Sequence, residues 1–77
     1  MNDVSSVLEM LEEIQSDSLA SKRLKEKITE IISILNDSNE LKIDKAIHEL
    51  EGLNGMEIPS YNRTQLWDVV SMLESIN

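Results

Sequence analysis

The sequence predicts an all-α protein, a four-helix up-and-down bundle built from two helical hairpins. Apolar residues recur at three- and four-residue spacings in four separate stretches, which is the pattern of amphipathic helices. The apolar pattern between Val4 and Ile34 also returns between Ile43 and Leu73, at an offset of 39 residues. One hairpin cannot bury its apolar face alone, whereas two can close into a bundle. The repeat fits either a duplicated hairpin or two hairpins of similar length.

Length and composition narrow the class of protein. Seventy-seven residues predict a single domain covering 1–77, and the absence of cysteine excludes disulfides and thiolate chemistry. Fifteen acidic and seven basic residues give a net charge of −8, which repels phosphate backbones, so direct nucleic-acid binding is not expected. No apolar run approaches the roughly 20 residues of a membrane span, and the N-terminus lacks the basic segment of a signal peptide. We therefore expect a soluble cytoplasmic protein.

The first hairpin is predicted from two amphipathic stretches. The first helix covers 3–15, with Asn2 or Asp3 as its N-cap, and the second covers 20–35. The second helix opens with four basic residues, the basic cluster Lys22, Arg23, Lys25 and Lys27. This cluster forms either a phosphate-binding patch or the neutralising partner of the acidic first helix. We favour the second interpretation because helices joined by a short loop are usually antiparallel neighbours.

The second hairpin has clearer boundaries. Its first helix covers 41–53 and is terminated by the Asn54-Gly55 pair that follows, with Gly55 predicted to adopt a left-handed conformation. Its last helix covers 59–76, with Pro59 at the first helical position and Trp67 expected in the core. The second and fourth helices have wider apolar faces than the other two. Val69 and Met72 therefore either fill the core, which we favour, or contact a partner.

The sequence offers little material for catalysis or metal binding. His48 is the only histidine, and it forms helical spacings with Asp44 and Glu51 that could in principle share a metal. Three such residues on an acidic face are more often solvated side chains. The chain has two glycines and no phosphate-binding loop motif. We predict no catalytic, cofactor-binding or metal-binding residue.

The C-terminal segment carries a family signature. The stretch from Pro59 to Trp67 reads Pro-x-x-x-Arg-Thr-x-x-Trp and resembles the uncharacterised archaeal protein family numbered 0147, which consists of short acidic proteins. The resemblance implies a four-helix bundle of bromodomain-like topology and carries no activity with it. Ala20 departs from the family, which tends to have proline at that turn. Arg63 is predicted to pair with a carboxylate or with carbonyls at a helix end; otherwise it contacts a partner.

These observations predict a non-catalytic interaction or structural module that binds another protein or a second copy of itself. Its candidate interaction residues are Arg63, Val69 and Met72. The alternative is an accessory factor of an RNA–protein assembly, which would contact the basic proteins of that assembly or use the basic cluster. An enzyme of unidentified class comes third. No cofactor and no membrane contact are expected.

Overall fold

Four α-helices and one 3₁₀ turn make up the fold. The computed structural model describes residues 4–76, except for the side chain of Asn54. The elements are α1 (Val4–Ser16), α2 (Lys22–Asn36), α3 (Lys42–Glu51), a 3₁₀ turn (Gly52–Gly55) and α4 (Ser60–Ile76). All four predicted helices are confirmed, and the helix ends that can be compared within the described residues lie within two residues of the predicted ones. The N-cap predicted at Asn2 or Asp3 lies outside the described residues.

The start of α2 is fixed by a serine cap. Ser21 has an extended backbone, and its side-chain oxygen accepts a hydrogen bond of 3.1 Å from the backbone N–H of Leu24. Such a cap satisfies one of the N–H groups that a helix leaves without an intrahelical partner. Ala20 lies just outside the helix and is buried. The helix therefore begins at a cap without the proline that the family tends to have.

The joint between α3 and α4 corrects two details of the prediction. No residue in the described part of the chain has a positive φ angle, so the left-handed conformation predicted for Gly55 is wrong. α3 instead continues into the 3₁₀ turn. In such a turn, backbone hydrogen bonds between residues three positions apart satisfy the carbonyl groups at the end of the helix. Pro59 precedes α4, and its carbonyl accepts the first helical hydrogen bond from the Arg63 N–H at 2.9 Å.

The helices form a closed ring. α1 packs against α2 and α4, and α3 packs against the same two helices. Buried apolar residues from all four helices form one core, which includes Val7, Leu11, Ile28, Ala46 and Leu73. The radius of gyration of 11.4 Å matches the roughly 11.5 Å expected for a folded chain of this length. None of the described helices has the length and apolar character needed to cross a membrane.

Only one side of the wide apolar face of α4 is buried in the core. The buried residues of α4 are Asn62, Leu66, Val69 and Leu73, at spacings of three and four. Trp67 is 67 % exposed, so the expectation that it fills the core is wrong. Val69 is fully buried, so the favoured expectation that it fills the core is confirmed and it is no longer a candidate interaction residue. Adjacent residues of a helix differ in direction by about 100°, so one inward face cannot hold both Leu66 and Trp67.

Candidate functional site

An apolar groove of about 460 Å³ lies between α4 and the segment formed by α3 and the 3₁₀ turn. Its floor consists of the apolar residues Leu50, Leu53, Met56, Ile58, Leu66 and Val70. Its rim carries the polar and aromatic residues Glu51, Arg63, Trp67, Ser71 and Glu74. We call this surface the α4 groove. In this groove the exposed side chain of Trp67 lies beside a largely apolar floor.

Arg63 and Trp67 reach the groove because of their positions on α4. Each follows a core residue, Asn62 or Leu66, by one position. Their side chains therefore point about 100° away from the core direction. They are separated by four residues, so they lie one above the other on the same face of the helix. The packing of α4 thus presents a cation and a large aromatic ring together.

The charged groups of the groove make no ion pairs within residues 4–76. The single ion pair described there joins Lys27 Nζ to Glu30 Oε2 at 3.5 Å, on α2. Within the described residues Arg63 therefore does not form the carboxylate or helix-end contact that we favoured for it. Glu51 and Glu74 are likewise exposed and without an ion pair in this range. All three charged side chains are exposed to solvent.

The structure brings only one of the three predicted interaction residues to the groove. Arg63 lies on the rim, whereas Val69 is in the core and Met72 is half-buried against the core outside the groove. Sequence reasoning missed Trp67 by assigning it to the core. The signal that pointed to it was its spacing of four residues from Arg63 within the family signature.

A polar contact made by the buried Asn62 holds the start of α4 in place. Asn62 is fully buried, and its Nδ2 donates hydrogen bonds to Asp17 Oδ2 at 3.0 Å and to Gln65 Oε1 at 2.9 Å. Asp17 Oδ1 accepts a third bond from the Leu19 N–H at 2.9 Å. These bonds, first that from Leu19 and then that from Asn62, lower the pKa of Asp17, and the charge of Lys25 adds to the effect. The contact connects the α1–α2 loop to the first turn of α4, and so it positions Arg63.

The basic cluster does not pair with α1 in the described residues. Lys22 and Arg23 are exposed, and Lys25 and Lys27 are half-buried. Lys27 pairs with Glu30 of its own helix. α1 and α2 do pack side by side, as that interpretation requires. The charge of Lys25 also contributes to the lowered pKa of Asp17, just after α1.

No group of three or more metal-ligating side chains is placed to hold a metal ion anywhere in the described chain. Asp44, His48 and Glu51, the three residues whose spacing suggested such a group, are all exposed on α3. Their arrangement offers no enclosed position for a cation.

Comparisons with known proteins place the whole bundle in one family. The family described as "Uncharacterised protein family (UPF0147)" matches residues 1–76. A UPF0147 protein of Methanosarcina mazei is 36% identical over 97% of this chain and 89% of its own length. A UPF0147 protein of Methanosarcina acetivorans is 32% identical over 95% of this chain and 79% of its own length. No solved structure matches the chain significantly. The chain belongs to the uncharacterised protein family UPF0147.

Proposed function

We propose that this protein is a non-catalytic interaction module that binds protein through the α4 groove. The observation that carries this proposal is the exposure of Trp67 beside an apolar floor. A small bundle is short of apolar area for its own core, so a tryptophan left outside it favours an external role. Tryptophan and arginine are also the residue types enriched at the centres of protein interfaces.

The groove has enough apolar surface to dominate an interaction. A tryptophan side chain buries about 150–250 Å², of which two-thirds is still exposed here. At about 25 cal/mol per Å², covering that surface contributes about 2.5–4 kcal/mol. An exposed ion pair contributes only about 0–1 kcal/mol. We therefore assign affinity to Trp67 and the groove floor, and orientation to Arg63 and the two rim glutamates.

The proposal is tested by comparing partner recovery between two aromatic variants. Tyr61 is 69 % exposed on the same helix but lies outside the α4 groove, so Tyr61→Ala is a matched control for Trp67→Ala. Tagged wild-type, Trp67→Ala and Tyr61→Ala chains are expressed in the native host and their co-purified proteins are quantified. We expect a partner that wild-type and Tyr61→Ala recover equally and that Trp67→Ala loses. Equal recovery by all three chains would exclude the groove as the docking surface.

A second candidate function is an accessory role in an RNA–protein assembly. The observation in its favour is that the basic cluster makes no ion pair with α1 in the described residues, which leaves Lys22 and Arg23 exposed. Contacts of lysine and arginine with the phosphates of RNA release counterions from the RNA when they form. Their affinity therefore falls steeply as the salt concentration rises. The fraction of the chain that sediments with RNA–protein particles should therefore decrease as the salt concentration rises. It should decrease further for the double variant Lys22→Ala/Arg23→Ala. Association without salt dependence would contradict this role.

The bromodomain-like topology, the lack of enzymatic activity and the cytoplasmic location stay predictions. The ring of helix contacts supports the bromodomain-like arrangement implied by the resemblance, but that arrangement describes helix order and carries no acetyl-lysine reading.

A further inference from the structure

We infer that the α4 groove binds a second copy of this chain, with the two α4 helices antiparallel about a two-fold axis. This inference rests on the proposed function, because it names the occupant of the same groove. A two-fold interface requires one surface to be complementary to itself, and each of its contacts then occurs twice. The groove residues of α4 meet that requirement.

The register follows from the order of residues along α4. With the axis between residues 68 and 69, Arg63 lies opposite Glu74 of the second copy, and Trp67 lies opposite Val70 of the second copy. Arg63 and Glu74 are 11 residues apart, which is about 16 Å and about three helical turns, so they share one face. The same arrangement pairs a cation with a carboxylate twice and an aromatic ring with an aliphatic side chain twice.

The helix dipole gives an independent argument for this arrangement. Arg63 is in the N-terminal part of α4 and Glu74 is in its last turn, and the first turn has no acidic residue and the last no basic one. Both charges therefore oppose the dipole of their own helix. In the antiparallel pair, Arg63 approaches the C-terminal end of the other α4 and Glu74 approaches its N-terminal end. Charges that are unfavourable within one copy become favourable between two copies.

Trp67 supplies the apolar centre of the proposed contact. The two tryptophans flank the axis, separated by about 4.5 Å along the helix direction, since three residues rise about 1.5 Å each. Each ring then covers Val70 of the other copy. Because each copy carries a net charge of −8, repulsion opposes association until salt screens it beyond about 8 Å. We therefore expect a weak, reversible dimer at high protein concentration in physiological salt.

Charge reversal tests both the dimer and its register. Sedimentation equilibrium from micromolar to millimolar concentration is measured for wild-type, Arg63→Glu, Glu74→Arg and the double variant. Each single variant places like charges opposite each other twice, which should weaken the dimer about tenfold or more. The double variant restores opposite charges and should recover the wild-type association. Lys45→Glu and Glu12→Arg, exposed residues outside the groove, control for the change in net charge.

We expect the charge-reversal variants to keep their fold. Arg63→Glu places an acid near the N-terminus of α4, which favours that helix, and the double variant improves both ends. A spectroscopic measurement adds a second readout, because Trp67 is the only tryptophan. Its emission should shift to shorter wavelength with concentration in wild-type and in the double variant, and stay unchanged in Arg63→Glu.

The outcomes separate this inference from the proposed function. A strictly monomeric wild-type chain, a dimer that persists in both single variants, or a double variant without recovery would overturn the two-fold arrangement. The proposed function would still stand if Trp67→Ala lost a different host protein that Tyr61→Ala retained. The two-fold dimer and the proposed function would both be wrong if one of those dimer results were found and Trp67→Ala also recovered every partner that wild-type recovers.

Discussion

The carboxylate of Asp17 accepts a hydrogen bond of 3.0 Å from the buried amide of Asn62, a residue 45 positions away in the chain. This bond connects the loop after α1 to the first turn of α4, and so joins the first and last helices of the ring. The same amide nitrogen of Asn62 also donates a hydrogen bond to the side-chain oxygen of Gln65. The Oδ1 atom of Asn62 has no hydrogen-bond partner in the described residues. Asn62 is thus both a fixed contact and a source of instability.

Replacing Asn62 separates these two effects. Asn62→Ala loses two hydrogen bonds and leaves a cavity, so it should lower the free energy of unfolding by about 1–3 kcal/mol. Asn62→Leu also loses the bonds but fills the space and removes the unpartnered oxygen, so it should cost less than the alanine variant. Urea denaturation followed by circular dichroism measures both. Equal stability of Asn62→Ala and wild-type would contradict the burial of this residue.

Asp17 should make stability depend on pH in acid. Its pKa in the folded state is lowered from 3.8, first by the hydrogen bond from Leu19 and then by that from Asn62. Its contribution is therefore complete above the unfolded value and is lost as the pH falls through the folded-state pKa. Asp17→Asn, which does not ionise, should show a smaller loss of unfolding free energy between neutral pH and pH below 3.8. Glu12→Gln, which removes an exposed acid of α1 outside this contact, is the control for the change in net charge.

Truncating Trp67 should leave the fold nearly intact. Because its side chain is mostly exposed, Trp67→Ala should lower the free energy of unfolding by less than about 1 kcal/mol. Leu73→Ala, in the core of the same helix, should lower it by about 2–5 kcal/mol. Thermal denaturation of dilute protein compares the two. A loss for Trp67→Ala as large as that for Leu73→Ala would return Trp67 to the core.

The 3₁₀ turn should tolerate alanine. Gly52 has φ of −66° and ψ of −16°, and a Cβ atom added there meets no atom within 4 Å. Alanine reduces the freedom of the unfolded chain, so Gly52→Ala should raise the free energy of unfolding by about 0.4–1 kcal/mol. Gly55→Ala, which also meets nothing within 4 Å, should be tolerated as well. A destabilised Gly55→Ala would indicate the left-handed conformation that the sequence suggested. Urea titration at neutral pH measures both variants.

Helix positions were predictable because they depend on local chemistry. The apolar spacing located all four helices, and Ser21 provided an ordinary N-cap for α2. The end of α3 was less predictable: a glycine after a helix suggests a left-handed residue, but the chain continues as a 3₁₀ turn that buries Leu53. Burial of that leucine depends on neighbours that are distant in the sequence.

Of the two α4 residues that characterise the groove rim, the sequence predicted Arg63 but not Trp67. Arg63 stood out as a lone base in the last helix, and it does line the α4 groove. Trp67 lies outside the core in which it was expected, whereas Val69 is buried as favoured. Four apolar residues of α4, Leu66, Trp67, Val69 and Val70, compete for one inward face. Size and hydrophobicity favour the tryptophan for the core. Rotation of the helix against α1 and α3 decides the outcome, and it places Val69 inside.

The sequence by itself determined the class of this protein: an acidic four-helix chain without cysteine, with its helices set by apolar spacing and its family by a C-terminal signature. Those features are local, because each depends on residues a few positions apart. Tertiary structure alone decided which edge of α4 is buried, that Asn62 meets Asp17, and that Arg63 and Trp67 share an apolar groove. These features depend on the angle at which packed helices meet, and that angle is fixed by side chains from the whole chain at once.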